Sequence, residues 1–165
     1  GTLRSYVPDD RKQAVSQRQM EMTLDVMAHS LVYWVQDMVY RGLLGSGSRV
    51  FAMTSSGSTR IWPPYGPVGC AKAALDYHVR HLAVELAPRG IAVNAIRAGV
   101  TETPALRKIP GHQQVLAVAA ARHPSGRITT TEDVARTIAA LSDERTAWMT
   151  GNIVGVDGAE DISAH

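Results

Sequence analysis

Apolar positions recur along this chain in two rhythms, and the switches between them mark the elements. Residues 1–15 are polar and include Pro8, which predicts a loop. From Ser16 onward Met20, Leu24, Met27, Leu31, Val35 and Met38, with Trp34 beside them, return every three or four positions. That period predicts one long helix to about Arg41, its apolar stripe serving as core or subunit interface. Ser16-Gln17-Arg18-Gln19 has the spacing of a reciprocal cap, and Val15 with Met20 suits a hydrophobic staple. Gly42, Gly45 and Gly47 end the helix. A second long helix is predicted over residues 67–87, with Leu75, Val79, Leu82 and Leu86 on its stripe. Pro67 is acceptable in its first turn, and Pro88 and Gly90 stop it. Residues 50–53, 91–96 and 152–156 are short, mostly apolar runs of strand length. The run 91–96 suits a parallel strand covered on both faces. Residues 105–128 mix helical pieces with Pro110, Gly111, Pro124 and Gly126, as a lid over a site would. Thr131-Glu132-Asp133 caps a helix to about Leu141, and Asp157-Gly158 turns out of the last strand. Strands alternating with helices predict an α/β class with a parallel sheet.

Composition narrows the function. A chain of 165 residues, 45% hydrophobic and 19% charged, is one domain with enough apolar mass for a core. A net charge of +2 with both signs interspersed offers no face for nucleic acid or for a membrane surface. No apolar run approaches the ~20 residues of a membrane span. The single cysteine, Cys70, excludes an internal disulfide and suits a reducing compartment, so the cytoplasm is expected. His29, His78, His81, His112 and His123 share no ligand spacing with Cys70 or with carboxylates, so no metal is assigned.

Three stretches carry candidate chemistry. Gly42, Gly45 and Gly47 imitate a phosphate-binding loop, but that fingerprint must follow a strand and open a helix, whereas these follow a helix. Two strand-end loops, residues 54–59 and 97–104, are rich in small hydroxyl residues and glycine, at the place where open α/β sheets hold ligands. Between them stand Tyr65 and Lys72, seven residues apart at the mouth of the second helix. Two helical turns place both side chains on one face, roughly 10 Å apart, with Lys72 leaning back toward Tyr65. A phenol near an ammonium is a better proton donor, because the positive charge favours the phenolate. A packed ring and a solvated charge at this spacing are commoner, and taken alone the pair favours that reading.

The order of pieces does decide. Ser55, Tyr65 and Lys72, then Ala74-Leu75, then the runs 82–86 and 91–96, are followed by the loop 99–103. Residues 132–135, Thr150-Gly151-Asn152 and Val156-Asp157-Gly158 complete the set. From about residue 16 to 160 the chain resembles the short-chain dehydrogenase/reductase family, and this resemblance implies a Rossmann-like, doubly wound parallel sheet. Most members have the tyrosine four residues before the lysine, where this chain has Val68. The wider spacing resembles the enoyl-[acyl-carrier-protein] reductase branch. Ser55 stands where many enoyl reductases carry a second tyrosine, and it matches the catalytic serine of the ketone-reducing branch. The asparagine that branch has near Met27 is missing; Ala98 replaces a common proline and Ala159 a common glycine. The family's first half, a strand and glycine-rich turn that grip the adenosine, has no counterpart here. Residues 1–165 are therefore expected to form a single, incomplete NAD(P)-binding domain, the C-terminal portion of a longer protein.

The resemblance implies reduction of trans-2-enoyl thioesters in fatty-acid synthesis, with NADH or NADPH as cofactor. Tyr65, Lys72 and Ser55 would be the catalytic residues. Lys72, Thr54, Gly99, Thr101 and Thr103 would hold the cofactor, and Ser55, Tyr65, Pro104 and Leu106 the substrate. Residues 104–115 would form the lid, with Arg107 and Lys108 open to an acidic acyl carrier. An acyl-carrier-protein or CoA thioester is the expected partner, and a homotetramer packed through the two long helices the expected assembly. Reduction of a 3-oxoacyl thioester or another ketone is the alternative chemistry. A non-catalytic interface module is the alternative from another class.

Overall fold

Three parallel strands carry the molecule. In the computed structural model, which describes residues 1–107, 109 and 111–163, they are β1 (Arg49–Thr54), β2 (Ala92–Ala98) and β3 (Ile153–Val156), in the order β1-β2-β3. Lys108 and Pro110 lie outside the described residues. Arg49 lies opposite Ala92 and Thr54 opposite Arg97, while Ala95 lies opposite Ile153 and Ala98 opposite Val156. Every residue from Ala92 to Ile96 is buried. Burial without alternation means that both faces of β2 are covered, as the apolar run 91–96 predicts. Because the strands are parallel, their C-terminal ends, and the loops that leave them, share one end of the sheet.

The long N-terminal helix is present but not regular. It runs as α1 (Gln17–Leu24), a widened π turn (Asp25–His29) and α2 (Ser30–Tyr40). The Ser16 cap forms as expected: the Gln19 N–H donates to Ser16 Oγ at 3.3 Å, and the Ser16 N–H to Gln19 Oε1 at 3.0 Å. The π turn inserts an extra residue and rotates the inward face, so Thr23, Ala28 and Val35 are buried while Trp34 is 67% exposed. Against this helix and the sheet packs α3 (Gly66–Leu86), which buries Val68, Ala71, Leu75, Val79 and Leu82. A single helical turn, α4 (Pro104–Arg107), and a helix, α5 (His112–Arg122), stand where a lid is predicted.

The last helix, α6 (Thr131–Leu141), is capped one residue earlier than its sequence suggests. Thr130 is the cap, and Asp133 closes the reciprocal pair with it. Asn94 on β2 is buried, and both ends of its amide are bonded. Nδ2 donates to the Met149 carbonyl at 2.8 Å, and Oδ1 accepts from the Asn152 N–H and Nδ2, both at 3.1 Å. This side chain ties the loop before β3 to the middle of the sheet. Among the described residues no helix is long and apolar enough to cross a membrane, and no group of three or more His, Cys, Asp or Glu is placed to hold a metal.

Candidate active site

Where β1 ends, the chain makes a tight sequence of turns. Ser55 is extended, and its Oγ accepts the Gly57 N–H at 3.1 Å, opening the single turn Ser56–Ser58. A second short turn, Pro63–Tyr65, delivers Tyr65 to the start of α3 rather than into it. The Tyr65 hydroxyl donates to Ser55 Oγ at 3.3 Å. The tyrosine ring lies directly on Gly57, where any Cβ would collide with it. A Cβ on Gly69 would come within 2.7 Å of the Gly57 carbonyl oxygen. Two glycines thus allow turn, ring and helix to meet at a distance no other residue tolerates. Trp62 stacks on the ring, with centroids 5.8 Å apart and planes inclined by 20°.

The sheet's C-terminal end opens there into a cavity of about 660 Å³. Thr54, Ser55 and Tyr65 form one wall, Gly99, Thr101 and Thr103 another, and Leu106 and Met27 also contribute. Seven of the nine expected site residues therefore share one cavity. Pro104 lies beside it, in the first turn of α4 between the lining residues Thr103 and Ala105. Thr101 Oγ1 donates to the Gly99 carbonyl at 2.9 Å, and Thr103 Oγ1 accepts the Leu106 N–H at 3.2 Å. Thr54 Oγ1 is buried with no partner.

Lys72 corrects the helical-wheel expectation. Its ammonium does not lean back to the phenol but donates to the Met53 carbonyl at 2.7 Å, beside a separate cavity of about 400 Å³. Tyr65 stands ahead of the helix, so the two side chains do not share one regular face. A half-buried ammonium instead takes the strand carbonyl that it meets first. Burial lowers the Lys72 pKa below its ordinary value, while Asp76, one turn further on, pulls it up. Arg107, expected to face an acyl carrier, pairs with Glu102 at 3.0 Å, and Lys108 lies outside the described residues.

The profile of the family described as Enoyl-(Acyl carrier protein) reductase matches residues 6–159. The chain belongs to that family. Its similarity to the NADH-dependent enoyl-[acyl-carrier-protein] reductase FabI of Escherichia coli K12 is 34% identity over 155 residues, 94% of this chain and 58% of that protein. A 1-cyclohexenylcarbonyl-CoA reductase of Streptomyces collinus is 38% identical over 128 residues, 74% of this chain and 44% of the relative. The crystal structure of the Aquifex aeolicus enoyl-[acyl-carrier-protein] reductase (NADH) superposes with a TM-score of 0.84 at 28% identity, over 92% of this chain and 58% of that one. The chain thus spans between 44% and 58% of the length of these relatives.

The enoyl reductase fold of this chain also joins residues that no motif singled out. Arg60, in the loop before Tyr65, pairs with Asp161 at 2.8 Å, and Arg97 from β2 reaches the same carboxylate at 3.2 Å. Glu160 Oε2 accepts the Val100 N–H at 2.8 Å, so the segment after β3 folds back over the site. His123, at the end of α5, is buried and uses both ring nitrogens. Nδ1 accepts the Ser125 N–H at 3.1 Å, which leaves Nε2 as the donor to the Asp157 carbonyl at 2.8 Å. Position in the strand-end loop is a signal that could have marked Arg60 and Trp62. The partners of His123 and Asp161 are long-range, and no local pattern announces them.

Proposed function

We propose that residues 1–165 form the catalytic and substrate-binding part of a Rossmann-like NAD(P)-binding domain. The whole protein, on this reading, reduces the carbon–carbon double bond of trans-2-enoyl thioesters with NADH or NADPH in fatty-acid synthesis. One observation carries the reading: a tyrosine hydroxyl held by Ser55 on the wall of a cavity at the C-terminal end of a parallel sheet, in a chain of the enoyl reductase family. The relatives named above are reductases of enoyl-acyl-carrier-protein or of a CoA thioester, which supports a thioester substrate on either carrier.

The chain's own residues have these roles. As the double bond is reduced at its β-carbon, negative charge builds on the thioester carbonyl oxygen, and the Tyr65 hydroxyl meets it with a hydrogen bond. Ser55 can rotate its own O–H toward the tyrosine oxygen, which frees the phenolic proton for the substrate. The unpartnered Thr54 hydroxyl fits a polar ligand on that wall, where a bound reduced nicotinamide would supply the hydride. Thr54, Gly99, Thr101 and Thr103 would hold that group, and Lys72 would turn from the Met53 carbonyl, beside its separate cavity, to bring its ammonium there. Pro104 and Leu106 bound the acyl group. The exposed aromatic residues Tyr33 and Trp34 on α2 and Tyr77 on α3 support packing of copies of the chain through these helices, for which a homotetramer is the assembly proposed.

The Ser55–Tyr65 contact also favours a second reading, reduction of a 3-oxoacyl thioester, because the same pair suits a ketone oxygen. Parallel assays of NADH and NADPH oxidation with trans-2-enoyl and 3-oxoacyl thioesters separate the two. Oxidation driven by the enoyl ester and lost in Tyr65→Phe is the expected result. Oxidation driven only by the 3-oxoacyl ester overturns the first reading in favour of the second. Oxidation with neither ester by the whole protein, in a form that remains folded, leaves the interface module.

A further inference from the structure

We propose that Asp76 is a positioning residue for Lys72, a buried counter-charge that keeps the lysine an ammonium beside the candidate active site. This rests on the enoyl-thioester reading, in which that ammonium serves the reduction. Asp76 lies on α3 one turn beyond Lys72, so the two side chains share a face of the helix. Helical side chains lean toward the N-terminus, which carries the Asp76 carboxylate back over the turn that holds Lys72. The carboxylate does not take the ammonium directly, because the Met53 carbonyl holds it at 2.7 Å. Asp76 acts across the turn, as a charge fixed on the helix.

Each side chain needs the other. Asp76 is 6% exposed, and its Oδ1 is buried with no hydrogen-bond partner. A carboxylate so placed is costly unless a positive charge stands near it. For Lys72, burial favours the neutral amine, and Asp76 is the charge that opposes it. The surroundings supply no substitute. The cavity beside Lys72 is walled by apolar side chains and Ser30, from the π turn, α2 and β1, none of them charged. On the elements packed against α3, Arg18, Glu21, Asp25, Tyr33 and Tyr40 are exposed. His29 bonds His78 at 3.0 Å, Asp37 pairs with Arg41 at 2.9 Å, and Arg49 donates to the Gly47 carbonyl at 2.8 Å. Tyr65 is held by Ser55 at 3.3 Å, and Arg97 pairs with Asp161 at 3.2 Å. An ammonium carries three donors and a charge that favours the Tyr65 phenolate, whereas a neutral amine lacks the charge. Because the counter-charge stays on the helix, Lys72 can leave the Met53 carbonyl for the site without losing its proton.

The test uses the whole protein with isotope-labelled lysine, the Lys72 signal being assigned by its absence from Lys72→Met. The Lys72 ε-carbon is titrated by NMR from neutral to strongly alkaline pH in wild type, Asp76→Asn and Asp76→Glu. Turnover of a trans-2-enoyl thioester is followed at neutral and at alkaline pH in the same three proteins. Without the counter-charge the amine gives up its proton at lower pH, so Asp76→Asn should move the Lys72 midpoint downward. The same variant should lose roughly tenfold in turnover at alkaline relative to neutral pH, and Asp76→Glu should restore both. A Lys72 midpoint that Asp76→Asn leaves in place overturns the proposal and gives the carboxylate to another partner, with the enoyl-thioester reading still standing. Turnover lost equally at every pH, with a fall in Tm and an unmoved midpoint, makes Asp76 a packing residue and overturns it too. If Asp76→Asn does not fold alone, Lys72→Met decides, because removing the lysine strands the carboxylate. Adding Asp76→Asn to Lys72→Met should then recover stability, and a double variant less stable than Lys72→Met overturns the pairing. A wild-type protein that turns over no enoyl thioester removes the enoyl-thioester reading, while the Lys72 titration still decides whether Asp76 is its counter-charge.

Discussion

Tyr65 is fixed by what stands around its ring: Gly57 beneath it, Trp62 stacked on it and Ser55 at its hydroxyl. Removing the hydroxyl leaves the packing intact, so Tyr65→Phe should lower turnover of an enoyl thioester by about 10²-fold or more with little change in Tm. Gly57→Ala should act in the same direction by displacing the ring, and a matched fall in thermal stability would show that the turn, not the hydroxyl, is at fault. Lys72 offers a separate test through its titration. Burial makes its folded pKa lower than the ordinary 10.5, so between the two values the unfolded chain binds more protons than the folded one. Stability contributed by this residue is therefore lowest where the amine is fully protonated, and rises as pH climbs from the folded pKa toward 10.5. Thermal unfolding followed across the alkaline range should show this rise, and Lys72→Met should flatten it. A rise that persists unchanged in the variant would assign it to another group.

At the scale of elements, the ends of α6 and the middle of the first helix show what local pattern can and cannot reveal. Helices and strands emerge within one or two residues of their predicted bounds, because their apolar periods are forced by burial. The choice between Thr130 and Thr131 as the cap is not legible, since both can accept and only backbone geometry decides. The π turn at residues 25–29 leaves no signature either: it adds one residue to a turn whose side chains still read as helical. The cap of α6 also gives a prediction in acid. Asp133 accepts from Arg127 at 2.7 Å and from the Thr130 N–H at 2.9 Å, and these bonds hold its pKa well below the usual carboxylate range. The folded pKa is the lower one, so the stabilisation is complete above the ordinary value of 3.8 and is lost as pH falls through the folded pKa. NMR titration of the Asp133 carboxyl should place its midpoint below that of free aspartate, and Arg127→Ala should move it upward. Amide exchange in the first turn of α6 should quicken over the same acid range. A midpoint that Arg127→Ala leaves in place would mean the Thr130 bonds alone set it.

For the whole molecule, the site forms because one end of a parallel sheet gathers loops far apart in sequence, which is why the strand-end hydroxyls were legible as candidates while their contacts were not. Lys72 shows the limit most clearly: its residue type and position are visible in sequence, but its partner, the Met53 carbonyl, belongs to a strand nineteen residues away. His29 and His78 meet at 3.0 Å across forty-nine residues for the same reason. The packing of α2 beside α3 also leaves Tyr33, Trp34, Tyr40, Tyr77 and Val84 facing water. If those helices join copies of the chain, the particle in solution exceeds the 17.8 kDa of one chain, and light scattering after size exclusion should find a multiple of it. Trp34→Glu with Tyr77→Glu would then place unpaired carboxylates in the buried interface and should return the protein to a monomer. Both positions are exposed in the single chain, so circular dichroism should remain unchanged while the mass falls. A wild-type chain that is already monomeric at high concentration would remove the tetramer. The exposed aromatic residues on the two helices would then have to serve a surface other than a second copy.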